Sequence, residues 1–214
     1  MQKIPRNIAV LVLTLAAATP LHAQVSWTDW TATATDEVSG SLLIGSTNVG
    51  VLFSGTFSFA QLSGGIDYYA TNSTIYAPNR PTGTDLIGLN RGGLKTITFS
   101  QAVLNPVIAL VSWNNQPTIT FNGPVTVLGQ GCGHWGCGTM STSGNDLFTS
   151  SEVHGTIQLS GSYTSISFTD GSESWHGLTV GAPALANVVP EPSTYALMAA
   201  GLALIGFSRR RRRA

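Results

Sequence analysis

The chain has 214 residues, of which 43% are hydrophobic and only 9% are charged, and its formal net charge is zero. That balance averages unlike segments, because most of the basic residues lie close to the two ends. The interior, residues 24–188, keeps three basic residues against nine acidic ones, a net charge of about −6. Such an acidic surface excludes binding of nucleic acid or anionic lipid by charge. Its length suits one domain with a hydrophobic core.

The first 23 residues show the three regions of a secretory signal peptide. A basic start precedes an apolar core at residues 8–18, and a short close ends at Ala23. We expect a signal helix that is cut between Ala23 and Gln24, with a cut nearer Ala18 as the alternative. The pattern therefore predicts export through the inner membrane.

Period-two alternation, typical of strands with one buried face, begins directly after the signal peptide. Ser26–Ala34 predicts a first strand, and residues 36–40 predict a turn. Large apolar residues at nearly every odd position of 49–59 predict one long strand, bent at Gly55.

Residues 61–93 lose this periodicity and contain many glycines and prolines, which predicts a long loop with a short strand near 66–69. Tyr68, Tyr69 and Tyr76 lie here beside asparagines. Aromatic faces stack on sugar rings and amides bond hydroxyl groups, so these tyrosines are one candidate ligand surface. The alternative is that they fasten the loop to the sheet below.

After residue 93 the strand pattern becomes regular. Val107–Val111 is apolar at every position, which predicts a central strand buried on both faces. No helical periodicity occurs between residues 24 and 188, so we predict an all-β domain at 24–181, an antiparallel β-sandwich of jelly-roll type. The further predicted strands are 95–101, 107–113, 118–121, 125–129, 156–160, 165–169 and 177–180.

Cys132 and Cys137 are the two cysteines of the chain. Four residues separate them, too many for a thioredoxin-like pair, and an oxidising compartment favours a disulfide. A zinc site would need three or four ligands, and only His134 lies nearby, so no metal site is predicted. Calcium, bound by acidic side chains and loop carbonyls, is the alternative, although no calcium motif is present.

Two acid–histidine pairs offer the geometry that a hydrolase needs, with an acid orienting an imidazole. These pairs are Glu152 with His154 and Glu173 with His176. No nucleophile elbow, metalloprotease motif or phosphate loop accompanies them. We therefore assign no catalytic residue and expect no cofactor. Glycoside hydrolysis remains an alternative, because two carboxylates could converge from Asp146, Glu152, Asp170 and Glu173.

The end of the chain combines three elements in a fixed order. Residues 182–189 lack a pattern and predict a linker, which leads into Pro190-Glu191-Pro192. An uncharged run at 195–207 predicts a hydrophobic helix of about 20 Å, which is short for a membrane span. A basic block follows and suits the cytoplasmic side of a membrane. Its members are Arg209, Arg210, Arg211, Arg212 and Arg213.

Residues 189–214 resemble the PEP-CTERM sorting signal of Gram-negative bacteria. The resemblance implies that an exosortase-type membrane transpeptidase cuts near Pro190-Glu191-Pro192 after a transient stay in the inner membrane. It further implies delivery to the cell envelope, the cell surface or the extracellular matrix. The resemblance covers the sorting signal at 190–214 and assigns the sandwich domain to no family.

Together these features predict an exported structural protein of the envelope or of the exopolysaccharide. The first alternative is a carbohydrate-binding module that uses the tyrosine loop on extracellular polysaccharide. The second alternative is a secreted hydrolase.

Overall fold

The computed structural model describes residues 24–114 and 116–186, and this part of the chain is all-β. A single turn of 3₁₀ helix, Ser73–Ile75, interrupts the strands, and no helix among the described residues is long and apolar enough to cross a membrane. The strands are β1 (Ser26–Trp27), β2 (Asp29–Ala34), β3 (Glu37–Ile44), β4 (Thr47–Ser54), β5 (Phe59–Gln61), β6 (Leu86–Leu89), β7 (Gly93–Leu104), β8 (Val107–Trp113), β9 (Ile119–Thr120), β10 (Val125–Gly131), β11 (Met140–Ser143), β12 (Asp146–Thr149), β13 (Val153–Leu159), β14 (Ser162–Asp170), β15 (His176–Ala182) and β16 (Ala184–Leu185).

The strands form two large antiparallel sheets and one small one. The front sheet has the order β10-β13-β8-β15-β6-β5, with β1 paired to β15. The back sheet has the order β14-β7-β4-β3-β2, with β16 paired to β7. Strands β11, β12 and β9 make the third sheet. The predicted antiparallel all-β fold is confirmed, whereas the jelly-roll topology stays a prediction.

The hydrophobic core lies between the front and back sheets. On β4 of the back sheet, Val51 and Phe53 point inward and are almost fully buried, as period two requires. Ile108 and Leu110 of β8 face them from the front sheet in the same cluster. The Nε1 of buried Trp30 donates a hydrogen bond of 3.0 Å to Thr179 across the two sheets, which satisfies its one polar atom.

A second apolar cluster covers the outer face of the front sheet. Ala109 and Val111, the alternate residues of β8, pack there against the loop between β5 and β6. Every residue of β8 is therefore buried, and the strand lies between β13 and β15. The prediction of a central strand buried on both faces is confirmed.

The prediction of one strand at 49–59 is wrong. β4 ends at Ser54, and β5 belongs to the other large sheet. Gly55 takes a φ of 139°, and a Cβ there would lie 2.9 Å from the carbonyl oxygen of Leu94. Only glycine fits this conformation, because a side chain would clash with β7. The chain turns at Gly55 and leaves the back sheet.

Three other segments differ from their predicted structure. The turn expected at 36–40 lies earlier, at Thr35 and Asp36, where Asp36 has a φ of 56°, and β3 begins at Glu37. No strand forms at 66–69, while β6 occupies part of the predicted loop. The sequence pattern did not predict strands β6, β11 and β12. Each is only four residues long, which is too short to show a clear hydrophobic period.

The boundary predicted between the domain and the linker at 182–189 lies too early. Ala182 closes β15, and Ala184–Leu185 pairs with β7. The backbone N–H of Ala186 also donates to the Ala102 carbonyl oxygen at 2.9 Å. The domain thus extends at least to residue 186.

A buried ion pair joins two strands of the back sheet. The Lys95 Nζ lies 3.1 Å from Asp170 Oδ1, and both side chains are at most 1% exposed. Asp170 Oδ2 contacts His176 Nε2 on the front sheet at 2.9 Å. Opposite charges therefore compensate each other at the point where the two sheets meet.

We predict that Lys95→Met lowers the free energy of unfolding by about 3 kcal/mol or more, because it leaves a buried carboxylate short of a cation. The control is Arg80→Ala, which removes the 2.8 Å pair with Asp67, where both side chains are about one-third exposed. That change should cost less than about 1 kcal/mol. Denaturant unfolding measures both, and equal small losses would contradict the role of the buried pair.

Candidate functional site

Several loops meet at one end of the front sheet and enclose an open cleft of about 590 Å³. The end of β8 and the residues just before β13 and β15 supply its floor. The loop after β10 supplies a wall. Its lining residues are Ser112, Asn114, Trp135, Glu152, Glu173, Ser174 and Trp175.

Two tryptophans make the aromatic part of the cleft. The ring centroids of Trp135 and Trp175 lie 4.8 Å apart with the planes at 76°, and Trp135 is 51% exposed. Tyr68 packs beneath both, with centroid distances of 5.3 and 5.2 Å. Phe59 stacks on Trp175 from the other side at 5.9 Å. Contacts with aromatic neighbours therefore fix the orientation of the Trp135 and Trp175 indoles.

A disulfide-closed loop positions Trp135. Cys132 and Cys137 are bonded, as predicted, and the Gly133 N–H donates to the Gly136 carbonyl oxygen at 2.8 Å within the loop. A Cβ on Gly133 would lie 2.2 Å from the ring of His154. The loop can therefore lie flat against β13 only because it has a glycine at this position.

Glu152 is held by neutral donors in a strained segment. Ser112 Oγ donates to one carboxylate oxygen, and Asn114 Nδ2 donates to the other at 3.1 Å. Ser112 and Glu152 have positive φ values of 58° and 30°, which are unfavourable for residues with a side chain. Strained backbone of this kind concentrates at functional sites, because neighbouring structure must maintain it.

Glu173 links the cleft to the buried ion pair. Its Oε1 lies 2.9 Å from His176 Nδ1 and accepts hydrogen bonds from the Asn114 N–H at 3.3 Å and from Gln116 Nε2. His176 contacts Asp170 through its other ring nitrogen. A continuous chain of charged groups therefore runs from the back sheet to the cleft surface.

The two buried histidines have pKa values shifted in opposite directions. Burial alone would lower the pKa of His176, but its contacts with Asp170 and Glu173 and their negative charges raise it above the ordinary value. Burial, and then the neighbouring His134, lower the pKa of His154 to about 4. His176 thus gains a proton more readily than a free imidazole, while His154 stays neutral near pH 7.

The structure separates one predicted acid–histidine pair and brings the other together. His154 is fully buried beneath the disulfide loop, and neither of its ring nitrogens has a partner among the described residues. The positive φ of Glu152 breaks the strand alternation that would have put both side chains on one face. Glu173 and His176 do meet, together with Asp170.

The tyrosine surface predicted from the loop is largely wrong. Tyr69 and Tyr76 are at most 1% exposed and pack edge to face at 5.2 Å on the outer face of the front sheet. Their rings are covered and cannot stack on a sugar. Tyr68, 8% exposed, is the member of this set that packs against the two tryptophans of the cleft.

A smaller cavity of about 230 Å³ holds a second pair of acids, Asp29 and Asp85, near Trp27. Burial, and then the charge of Asp29, raise the pKa of Asp85 to about 6. Among the described residues, no group of three or more acidic, histidine or cysteine side chains is placed to hold a metal ion. Calcium binding therefore stays an untested alternative.

Sequence reasoning missed the two tryptophans of the cleft. Trp135 lies between glycines and cysteines, and Trp175 lies between Ser174 and His176, in segments without strand periodicity. A tryptophan in an irregular, glycine- or serine-flanked segment was the available signal. Ser112 gave no signal, because serines are too numerous in this chain for one of them to stand out.

Comparison with known protein families decides the nature of the C-terminal region. Residues 188–213 match the model of the PEP-CTERM protein-sorting motif. The chain carries a PEP-CTERM sorting signal. This signal implies export, processing by an exosortase and association with the cell envelope or surface. No curated protein and no solved structure matches the chain.

Several predicted features lie outside the described residues. They include the signal helix, Ala23 of the cleavage site, and the C-terminal hydrophobic helix. The same is true of the sorting residues Pro190, Glu191 and Pro192 and of the block Arg209–Arg213. Gln24, the first residue after the predicted cut, is also the first described residue.

We predict opposite pH dependences of the free energy of unfolding from the two buried histidines. Because folding lowers the pKa of His154 from 6.5 to about 4, stability falls as the pH decreases across that window. Because folding raises the pKa of His176, its contribution is complete below pH 6.5 and is lost as the pH rises through the raised value. Denaturant unfolding over a pH series measures both.

The two histidines serve as controls for each other. His154→Gln should flatten the acid limb of the stability profile and leave the alkaline limb intact, while His176→Gln should do the reverse. If both variants kept the profile of the unchanged protein, the pKa assignments would be wrong.

Proposed function

We propose that the chain is an exported envelope protein that binds extracellular polysaccharide in the cleft of Trp135 and Trp175. The observation that carries this proposal is the pair of tryptophans beside two carboxylates in one open cleft. Indole faces stack on sugar rings, and carboxylate and amide groups bond sugar hydroxyls. The cleft replaces the tyrosine loop as the ligand surface.

The position of the cleft relative to the chain ends supports this proposal. β15 runs from His176, which borders the cleft, to Ala182, which pairs with Ser26 near the first described residue. Its seven residues span about 20 Å. At the same end of the sandwich, Leu185 pairs with Val103 of β7. The last described residue, Ala186, therefore lies at the end of the sandwich opposite the cleft, which suits a ligand site facing away from the point where the domain ends.

Association with exopolysaccharide, in the envelope of a Gram-negative bacterium, is the role that we propose for this binding. A purely structural role without ligand binding would give no reason for a half-exposed tryptophan held by a disulfide and three aromatic neighbours.

A glycoside hydrolase is the second candidate, because Glu152 and Glu173 line the same cleft. Binding is favoured over catalysis, since both carboxylates face hydrogen-bond donors and are engaged as acceptors. A hydrolase needs one of the two to deliver a proton to the leaving oxygen. Release of reducing ends from a polysaccharide, abolished by Glu173→Gln, would favour the enzyme instead.

We predict that Trp135→Ala weakens polysaccharide binding roughly tenfold, because it removes a stacking face worth about 1.4 kcal/mol. The control is Phe148→Ala, which removes an aromatic ring that is 41% exposed but does not line the cleft. Titration calorimetry with soluble oligosaccharides from an exopolysaccharide measures both. Equal affinity of both variants and the unchanged protein would contradict the proposed site.

We predict that Glu191→Ala leaves the protein uncut in the membrane fraction, because the exosortase reads the Pro-Glu-Pro of the sorting signal. Asn187→Ala, just before the matched residues, is the control and should be processed normally. Fractionation and mass measurement of the C-terminus test this, and normal release of the Glu191 variant would show that the motif is not the recognition element.

A further inference from the structure

The charges around the cleft are not fully compensated. Lys95 pairs with Asp170, and the imidazole of His176 lies between Asp170 and Glu173, at 2.9 Å from each carboxylate. Glu152 is different. Its carboxylate oxygens accept hydrogen bonds from Ser112 and Asn114, which are neutral, and no cation lies within ion-pair distance among the residues that the structure describes.

This uncompensated carboxylate lies at an aromatic wall. Glu152 and Trp135 line the same cleft, and Gly136 packs so closely on Glu152 that a Cβ there would lie 2.4 Å from the Glu152 Cβ. An indole face attracts a cation through its quadrupole, and a partly desolvated carboxylate does so through its charge. Both groups therefore favour the same sign of charge in a ligand.

The strain at this point indicates that the position of Glu152 matters. A carboxylate meant only to fill space would not require positive φ at both Ser112 and Glu152, each with an unfavourable backbone energy. The strain brings the Ser112 hydroxyl onto Glu152 and fixes the carboxylate before any ligand arrives.

We propose that the cleft selects a polysaccharide that carries free amino groups, with a protonated amine of one sugar unit bound between Glu152 and the indole of Trp135. This proposal rests on the proposed function and names its substrate class. The sugar ring packs on the tryptophans, while Glu152 accepts a charge-assisted hydrogen bond from the ammonium group. An N-acetylated or hydroxylated sugar on the same backbone has no ammonium group, so it would keep the stacking and lose the ion pair.

The test compares two hexasaccharides of one backbone, glucosamine and N-acetylglucosamine linked β-1,4, at mildly acidic pH with the full-length exported protein. We expect the glucosamine hexamer to bind about tenfold more tightly, the effect of one cation–π contact and one charge-assisted bond. Added salt should weaken this binding selectively.

Glu152→Gln keeps the shape of the side chain and removes its charge, so it should lower the affinity for the glucosamine hexamer about tenfold and abolish the preference. Asp146→Asn is the matched control, because Asp146 bonds Thr120 outside the cleft at 2.7 Å. It should keep the preference.

The outcomes separate this proposal from the proposed function. Equal affinity of the unchanged protein for the two hexamers, with loss of both on Trp135→Ala, would overturn the amine preference and keep a sugar-binding cleft. Binding of neither hexamer nor of any exopolysaccharide fragment would overturn both. Tighter binding of a lysine tetrapeptide than of the glucosamine hexamer would overturn the assignment to a sugar.

Discussion

The structure depends on a chain of four ionisable side chains that runs from the back sheet to the cleft. Lys95, Asp170 and His176 are fully buried, and Glu173 ends the chain with only 12% of its side chain exposed. Burial of each charge is tolerable because the next member compensates it. These four contacting side chains therefore connect the packing of the two sheets with the position of the loop that carries Trp175.

The rest of the cleft is fixed by covalent and steric constraints. The disulfide closes the loop of Trp135, and Gly133 lets that loop lie on His154. Strained backbone at Ser112 and Glu152 is maintained by the buried strands β8 and β13 on either side. A site assembled in this way exists before the ligand binds, which reduces the entropy lost on association.

Much of the fold could be predicted from the sequence, because alternating and continuous apolar runs report directly on burial. β8 illustrates this, because its apolar run predicted a strand buried on both faces. The break at Gly55 could not be predicted, since it follows from the approach of Leu94 on a distant strand. The candidate site was predicted only in part. The contact of Glu173 with His176 was anticipated from their spacing, but Trp135, Trp175 and Ser112 meet through tertiary packing that no local pattern encodes.

We infer that the end of the sandwich opposite residue 186, the last described residue, is a ligand site built on Trp135 and Glu152. A crystal structure of the exported protein with a bound glucosamine hexamer tests it most directly. We expect a sugar ring against an indole of the cleft and an amino nitrogen within ion-pair distance of Glu152. A hexamer bound elsewhere, with Trp135 and Glu152 untouched, would contradict it.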